Sequence, residues 1–137
     1  MTPANLTSNV YLVHLTLSKC SIVRVIEMDL PNLRHLDLSA NDIEDINLNV
    51  FVNLVSLKLL SLAGNPLRSM WMAPSKGYQR SLRLLDLSFT QLKVFSSKPL
   101  SPFLTLQTLN LSHSSIEAID EEGFDYVPGL VKLDMRG

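Results

Sequence analysis

The chain has 137 residues, 46% of them hydrophobic, with 12 basic and 13 acidic side chains and a net charge of −1. That balance gives no bulk attraction to nucleic acid or to an anionic membrane, and no run of about 18 apolar residues is present to cross a bilayer. The single cysteine excludes an internal disulfide, and Met1-Thr2-Pro3-Ala4 does not lead into the apolar stretch of a signal peptide.

Along the chain one spelling recurs. Leu12-x-x-Leu15-x-Leu17-x-x-Cys20-x-Ile22 is followed by Leu33-x-x-Leu36-x-Leu38-x-x-Asn41-x-Ile43 and by Leu57-x-x-Leu60-x-Leu62-x-x-Asn65-x-Leu67. Leu82-x-x-Leu85-x-Leu87-x-x-Thr90-x-Leu92 and Leu106-x-x-Leu109-x-Leu111-x-x-Ser114-x-Ile116 continue it, and Leu130-x-x-Leu133-x-Met135 opens a further copy. The first leucines lie 21 to 25 residues apart. This is the leucine-rich repeat signature. One unit is too small to bury its own apolar face, so the units must stack. The alternating L-x-L core has the period of a short strand. The expected class is α/β: a leucine-rich repeat solenoid, wound as a right-handed superhelix. A curved parallel β-sheet lines the concave face, and the convex side is irregular or short-helical. Residues 1–137 read as a single array of five full units with truncated ends. Neither end carries the polar or cysteine-rich cap that such arrays use, so a piece of a longer protein is expected.

The ninth slot of each unit carries Cys20, Asn41, Asn65, Thr90 and Ser114. There an asparagine can satisfy backbone groups of the neighbouring turn that would otherwise be buried and unpaired; Thr, Ser and Cys do so less completely. Asn41→Ala is expected to cost roughly 1–3 kcal/mol. Cys20 reads as a buried structural thiol. In the return half of each unit, Phe51, Leu54 and Leu57, then Leu100, Phe103 and Leu106, then Phe124, Val127 and Leu130, are spaced three apart to fill the convex core. Leu6, Asn9 and Leu12 fit the same slots.

The third unit departs most, with Pro74 and Gly77 breaking regular structure after Met70. Arg68, Lys76 and Arg80 make this loop basic. Trp71 and Tyr78 there either pack over the core or form a secondary contact patch. The fifth unit is acidic (Glu117, Asp120, Glu121, Glu122, Asp125), as a solvated face would be.

Side chains between the core leucines must point outward. The second slot runs Val13, Arg34, Lys58, Arg83, Gln107, Val131; the third runs His14, His35, Leu59, Leu84, Thr108, Lys132. The fifth runs Thr16, Asp37, Ser61, Asp86, Asn110, Asp134, and Phe89 stands in the eighth. A basic stripe (Arg34, Lys58, Arg83) and an acidic one (Asp37, Asp86, Asp134) thus flank Leu59 and Leu84, with His35 and Phe89 beside them. Apolar groups ringed by charge make a protein-binding patch. Catalysis is not expected. His14 and His35 should lie about 5 Å apart on adjacent strands, yet a metal needs more ligands than Asp37 can add. Asp37 and Asp86, about 10 Å apart, lie on an open sheet with no pocket to exclude water. No metal, cofactor or nucleic-acid partner is read from these residues.

The 24-residue period, the Phe51 and Phe124 slot and the Leu-Asp-Leu-Ser or Leu-Asn-Leu-Ser strands at 36–39, 85–88 and 109–112 resemble the typical extracellular leucine-rich repeat class. Toll-like receptors, Slit-like guidance proteins and leucine-rich repeat G-protein-coupled receptors share it, and the likeness is nearest to relaxin-receptor-like ectodomains. The resemblance covers nearly the whole chain, although the disulfide caps are missing and Thr90 and Ser114 replace the ladder asparagine. It implies a protein or peptide ligand on the concave face, with Asp37, Asp86 and Asp134 meeting basic ligand side chains. It also implies a monomeric module of a cell-surface receptor on the extracellular side. An intracellular adaptor or scaffold in the cytoplasm and a structural spacer within a larger ectodomain are the alternatives. Two sequons, Asn5-Leu6-Thr7 and Asn110-Leu111-Ser112, fit secretion; a glycan on Asn110 would block the sheet at that end.

Overall fold

The computed structural model describes residues 9–73 and 77–137. Ten short strands follow in order: β1 His14–Thr16, β2 His35–Asp37, β3 Asp45–Asn47, β4 Leu59–Ser61, β5 Ser69–Trp71, β6 Leu84–Asp86, β7 Val94–Phe95, β8 Thr108–Asn110, β9 Ala118–Ile119 and β10 Lys132–Asp134. All six L-x-L segments are strands, and they form one parallel sheet in the order β1-β2-β4-β6-β8-β10. The register stacks Leu15, Leu36, Leu60, Leu85, Leu109 and Leu133 in one row. Alternation along each strand turns that row inward: Leu36, Leu60, Leu85 and Leu109 are at most 1% exposed, whereas Leu133 on the last strand is 39% exposed. The ladder runs past the strand ends, with Leu38 N–H donating to Ser61 O at 2.9 Å and Leu62 N–H to Asp86 O at 2.9 Å.

Across the core, parallel pairs β3–β5 and β7–β9 add a second line of extended backbone. The sequence reading missed these strands. Their signal is an apolar residue at a constant distance beyond each L-x-L core (Ile46, Met70, Phe95, Ile119). The helical share of the fold is small: two 3-10 helices, Leu48–Phe51 and Lys98–Leu100, are the only helices among the described residues. Asn47 caps the first by accepting the Asn49 N–H at 3.0 Å. None of the described helices is long and apolar enough to cross a membrane. The convex slots fill as expected: Phe51, Leu54, Leu57, Leu100, Phe103 and Leu106 are at most 3% exposed. Phe124 is half-buried and stacks on Phe95 at 5.3 Å. Asn9 is exposed, and Leu6 lies outside the described residues.

One convex slot is polar. Gln79, 1% exposed, donates to Leu54 O at 2.9 Å and accepts the N–H groups of Ser81 (2.8 Å) and Leu82 (2.7 Å). Ser81 Oγ donates to Leu57 O at 2.7 Å. This knot re-anchors the chain after the irregular loop, satisfying backbone groups that a leucine there would strand. It also corrects the expected packing of the loop aromatics. Trp71 is 47% and Tyr78 61% exposed, because Met70 and Gln79 take the inward positions beside them. Pro74 and Lys76 lie outside the described residues.

The asparagine ladder is built as its chemistry requires. Asn41 Oδ1 accepts the N–H of Cys20 at 2.9 Å and of Ile22 at 3.0 Å. Its Nδ2 donates to Leu17 O and Leu38 O, each at 2.9 Å. Asn65 repeats this toward Ile43 N–H, Leu38 O and Leu62 O. Thr90 and Ser114 manage less: both hydroxyls lie near Leu87 O, at 3.0 and 3.1 Å, and 3.1 Å from each other. Cys20 differs from expectation. It is exposed, and its Sγ reaches only Ser18 O of its own turn at 3.3 Å.

Candidate functional site

The open face of the six-stranded sheet gathers most of the residues expected to bind. Backbone pairing sets His14, His35, Leu59, Leu84, Thr108 and Lys132 in one row, and Thr16, Asp37, Ser61, Asp86, Asn110 and Asp134 in the next. Leu59 and Leu84 are direct neighbours across β4 and β6 and are half-buried, while Arg34, Lys58 and Arg83 stand exposed beside them. Two leucines are therefore partly wet at the centre of a face whose edges are charged.

Phe89 follows β6 and is not part of the Leu59–Leu84 row. It lies beyond the end of β6, 61% exposed, and its ring stacks on His113 at 4.6 Å and 16°. The sequence did not reveal this pairing, since it depends on a turn geometry shared by both residues: Lys19, Ala40, Gly64, Phe89 and His113 all have φ between 55° and 70°. His14 and His35 do meet as neighbours, stacked at 4.1 Å and 25°. They line a shallow hollow of about 220 Å³ with Thr16, Asp37, Leu59 and Ser61. No group of three or more His, Cys, Asp or Glu side chains able to hold a metal occurs among the described residues.

The acidic row is not uniform. Asp37 and Asp86 each accept the N–H two residues ahead, Ser39 and Ser88, at 2.9 Å. Asp134 also takes the Arg136 guanidinium, from Nε at 3.0 Å and Nη2 at 2.7 Å. That hydrogen bonding, joined by the Arg136 backbone N–H, pulls the Asp134 carboxyl down to about 2. In a carbon-detected titration Asp134 should therefore stay ionised down to about pH 2. In Arg136→Ala its midpoint should rise part of the way to the ordinary carboxylate range, because the backbone N–H of residue 136 still donates to it; an unmoved midpoint would remove the guanidinium as a cause. Stability linked to this depressed carboxyl is present above its unfolded pKa and is lost as pH falls through its folded value. Asn110 lies half-buried on β8 with Oδ1 accepting the Ser112 N–H at 3.0 Å. Asn5 lies outside the described residues.

Comparison with known proteins places this arrangement. The family model described as "Leucine rich repeat" matches residues 10–67 and 80–137. The chain is 42% identical to CD180 antigen of Mus musculus over 115 residues, covering 80% of this chain and 17% of that protein. It is 36% identical to Tsukushi of Rattus norvegicus over 110 residues (78% of this chain, 30% of Tsukushi). Toll-like receptor 4 of Bos taurus is 31% identical over 86 residues, 63% of this chain and 10% of that receptor. Among solved structures, the crystal structure of the TLR13-ssRNA13 complex superposes with a TM-score of 0.62 at 23% identity, covering 97% of this chain and 22% of that one. The chain thus spans less than a third of the length of each of these relatives.

Proposed function

Because this chain belongs to the leucine-rich repeat family, we propose that its open sheet is a protein- or peptide-binding surface within the ectodomain of a cell-surface receptor. The observation that carries this reading is the Leu59–Leu84 pair, half-buried in the sheet and flanked by the exposed bases Arg34, Lys58 and Arg83 and by the carboxylates of Asp37 and Asp86. A central apolar pair inside a polar rim is how interfaces concentrate their energy. The kinship with CD180 antigen and Toll-like receptor 4 supports a receptor on the extracellular side of the membrane. Its role is binding rather than catalysis, and it acts as a monomer. The array is read as one part of a longer receptor, a reading supported by its spanning 17% of the length of CD180 antigen. A G-protein-coupled parent is one form such a receptor takes. Sugar is expected on Asn5 and not on Asn110, whose row faces the ligand. Mass spectrometry of secreted protein showing a glycan on Asn110 would remove binding from that end.

The test is selection of binders from a displayed library of secreted protein domains, followed by hydroxyl-radical footprinting of the complex. Leu59, Leu84 and Phe89 should be shielded, while Val55 and Leu104, exposed on the return halves of their units, keep their labelling. Shielding of Val55 and Leu104 with free labelling of the sheet would refute the assignment and favour a spacer or adaptor that binds by its back.

A further inference from the structure

The second line of strands is interrupted. β3 pairs with β5 and β7 with β9, but β5 and β7 do not pair. The turns are joined on either side of this break: Gln91 N–H donates to Leu67 O at 2.9 Å before it, and Gln79 N–H to Pro102 O at 2.8 Å after it. Between those two bonds the flank opens into a hollow of about 550 Å³. The chain around β5 lines it with Met70, Trp71 and Met72, and the 3-10 helix of the next unit lines it with Lys98 and Pro99. Tyr78 and Pro102 complete it.

The lining has a consistent chemistry. Met70, Met72 and Pro99 are half-buried and Pro102 is buried, while the rings of Trp71 and Tyr78 stand 47% and 61% exposed. Each ring carries a donor at its polar tip. Among the described residues neither the Trp71 indole N–H nor the Tyr78 hydroxyl has a hydrogen-bond partner. Lys98 is exposed, and it has no ion-pair partner among the described residues. No carboxylate is among the residues that line the hollow. A matching ligand is therefore apolar along its sides, rich in free acceptors and poor in donors. A polyproline helix has all three properties: its rings are apolar, its carbonyls make no internal hydrogen bonds, and proline has no N–H. Grooves lined by aromatic side chains bind such segments.

We propose that this hollow docks an extended, proline-rich segment of a partner protein. Its proline rings pack against Trp71 and Tyr78, and its carbonyls accept from the indole N–H and the phenol. An acidic residue beside the prolines meets Lys98. The hollow belongs to the second line of strands and not to the six-stranded sheet, so this contact stands apart from the binding face proposed above.

Trp71 is the only tryptophan of the chain, so its emission reports on the hollow directly. The probe is acetyl-Pro-Pro-Glu-Pro-Pro-Glu-Pro-Pro-amide, titrated into the whole chain. A version with lysine in place of glutamate and one with glycine in place of proline serve as controls. A saturable change in emission is expected. The glutamate peptide should bind about threefold more tightly than the lysine one. It should bind at least about fivefold more tightly than the glycine one, which must be ordered on binding. Lys98→Gln should remove the preference for glutamate over lysine. Tyr78→Ala should weaken binding at least about tenfold, and Tyr78→Phe, which keeps the ring and drops only the hydroxyl, about threefold. Thermal unfolding on the same samples reports separately that each variant is folded. Changing Leu59 and Leu84 to glutamate should leave the peptide's affinity as it was. Emission that does not change or does not saturate overturns the proposal, as does equal binding of the glycine peptide. Wild-type affinity in both folded Tyr78 variants overturns it too. Loss of the peptide in the leucine variant would move its site to the open sheet and remove it from the hollow.

Discussion

Asn41→Ala is expected to lower stability by about 3 kcal/mol, the top of the range for stranding buried backbone groups, and the melting temperature by roughly 10 °C for a chain of this size. The amide serves two N–H groups through Oδ1, Cys20 and Ile22, and three carbonyls through Nδ2, Leu17 and Leu38 at 2.9 Å and Ser39 at 3.2 Å. Removing it strands groups on two turns at once, in a site 5% exposed where water cannot replace it fully. Asn65→Ala should cost somewhat less, since its Oδ1 accepts one backbone N–H, that of Ile43. Thr90→Ala and Ser114→Ala should cost only about 1 kcal/mol each, since each hydroxyl reaches a single backbone group. Cys20→Ala should be close to neutral, because its exposed thiol bonds only within its own turn. Chemical denaturation of the five variants gives this order directly. Equal losses along the ladder would mean that stacked leucines, not side-chain amides, hold the turns together.

The fold was legible because the repeat imposes two periods at once. Leucines at alternate positions fix the strand, and their recurrence at 21 to 25 residues fixes which strands become neighbours; the observed register followed without adjustment. The second line of strands was harder to see. Its apolar slot takes Ile46, Met70, Phe95 or Ile119, and one residue per unit makes no visible alternation. Gln79 was invisible for a different reason: a glutamine in an apolar slot reads as a surface residue until the loop before it is known to need anchoring. On the open face of the sheet, the rows of outward side chains were readable from spacing alone. The Phe89–His113 stack was not, because it depends on a left-handed turn that the side chain does not announce. Likeness to relaxin-receptor ectodomains rested on consensus slots that many such arrays share. The similarity found is to CD180 antigen, Tsukushi and Toll-like receptor 4.

Changing Leu59 and Leu84 together to glutamate is expected to weaken partner binding at least about tenfold while the array stays folded. Both side chains are outward neighbours on β4 and β6, and the core row is carried by Leu60 and Leu85. Half-buried positions lose some contact area, so a small fall in melting temperature is expected, well short of that for Asn41→Ala. Two carboxylates at the centre of the patch would remain in water when free but would have to be desolvated beneath a partner, and that penalty falls on the complex alone. The decisive measurement is the affinity of a selected binder for the wild-type chain and for this double variant, with thermal unfolding recorded on the same samples. A tenfold or greater loss of affinity in a variant that melts cooperatively near the wild-type temperature is the predicted result. Unchanged affinity in a folded variant, or unfolding of the array, would contradict a face whose side chains are free to bind.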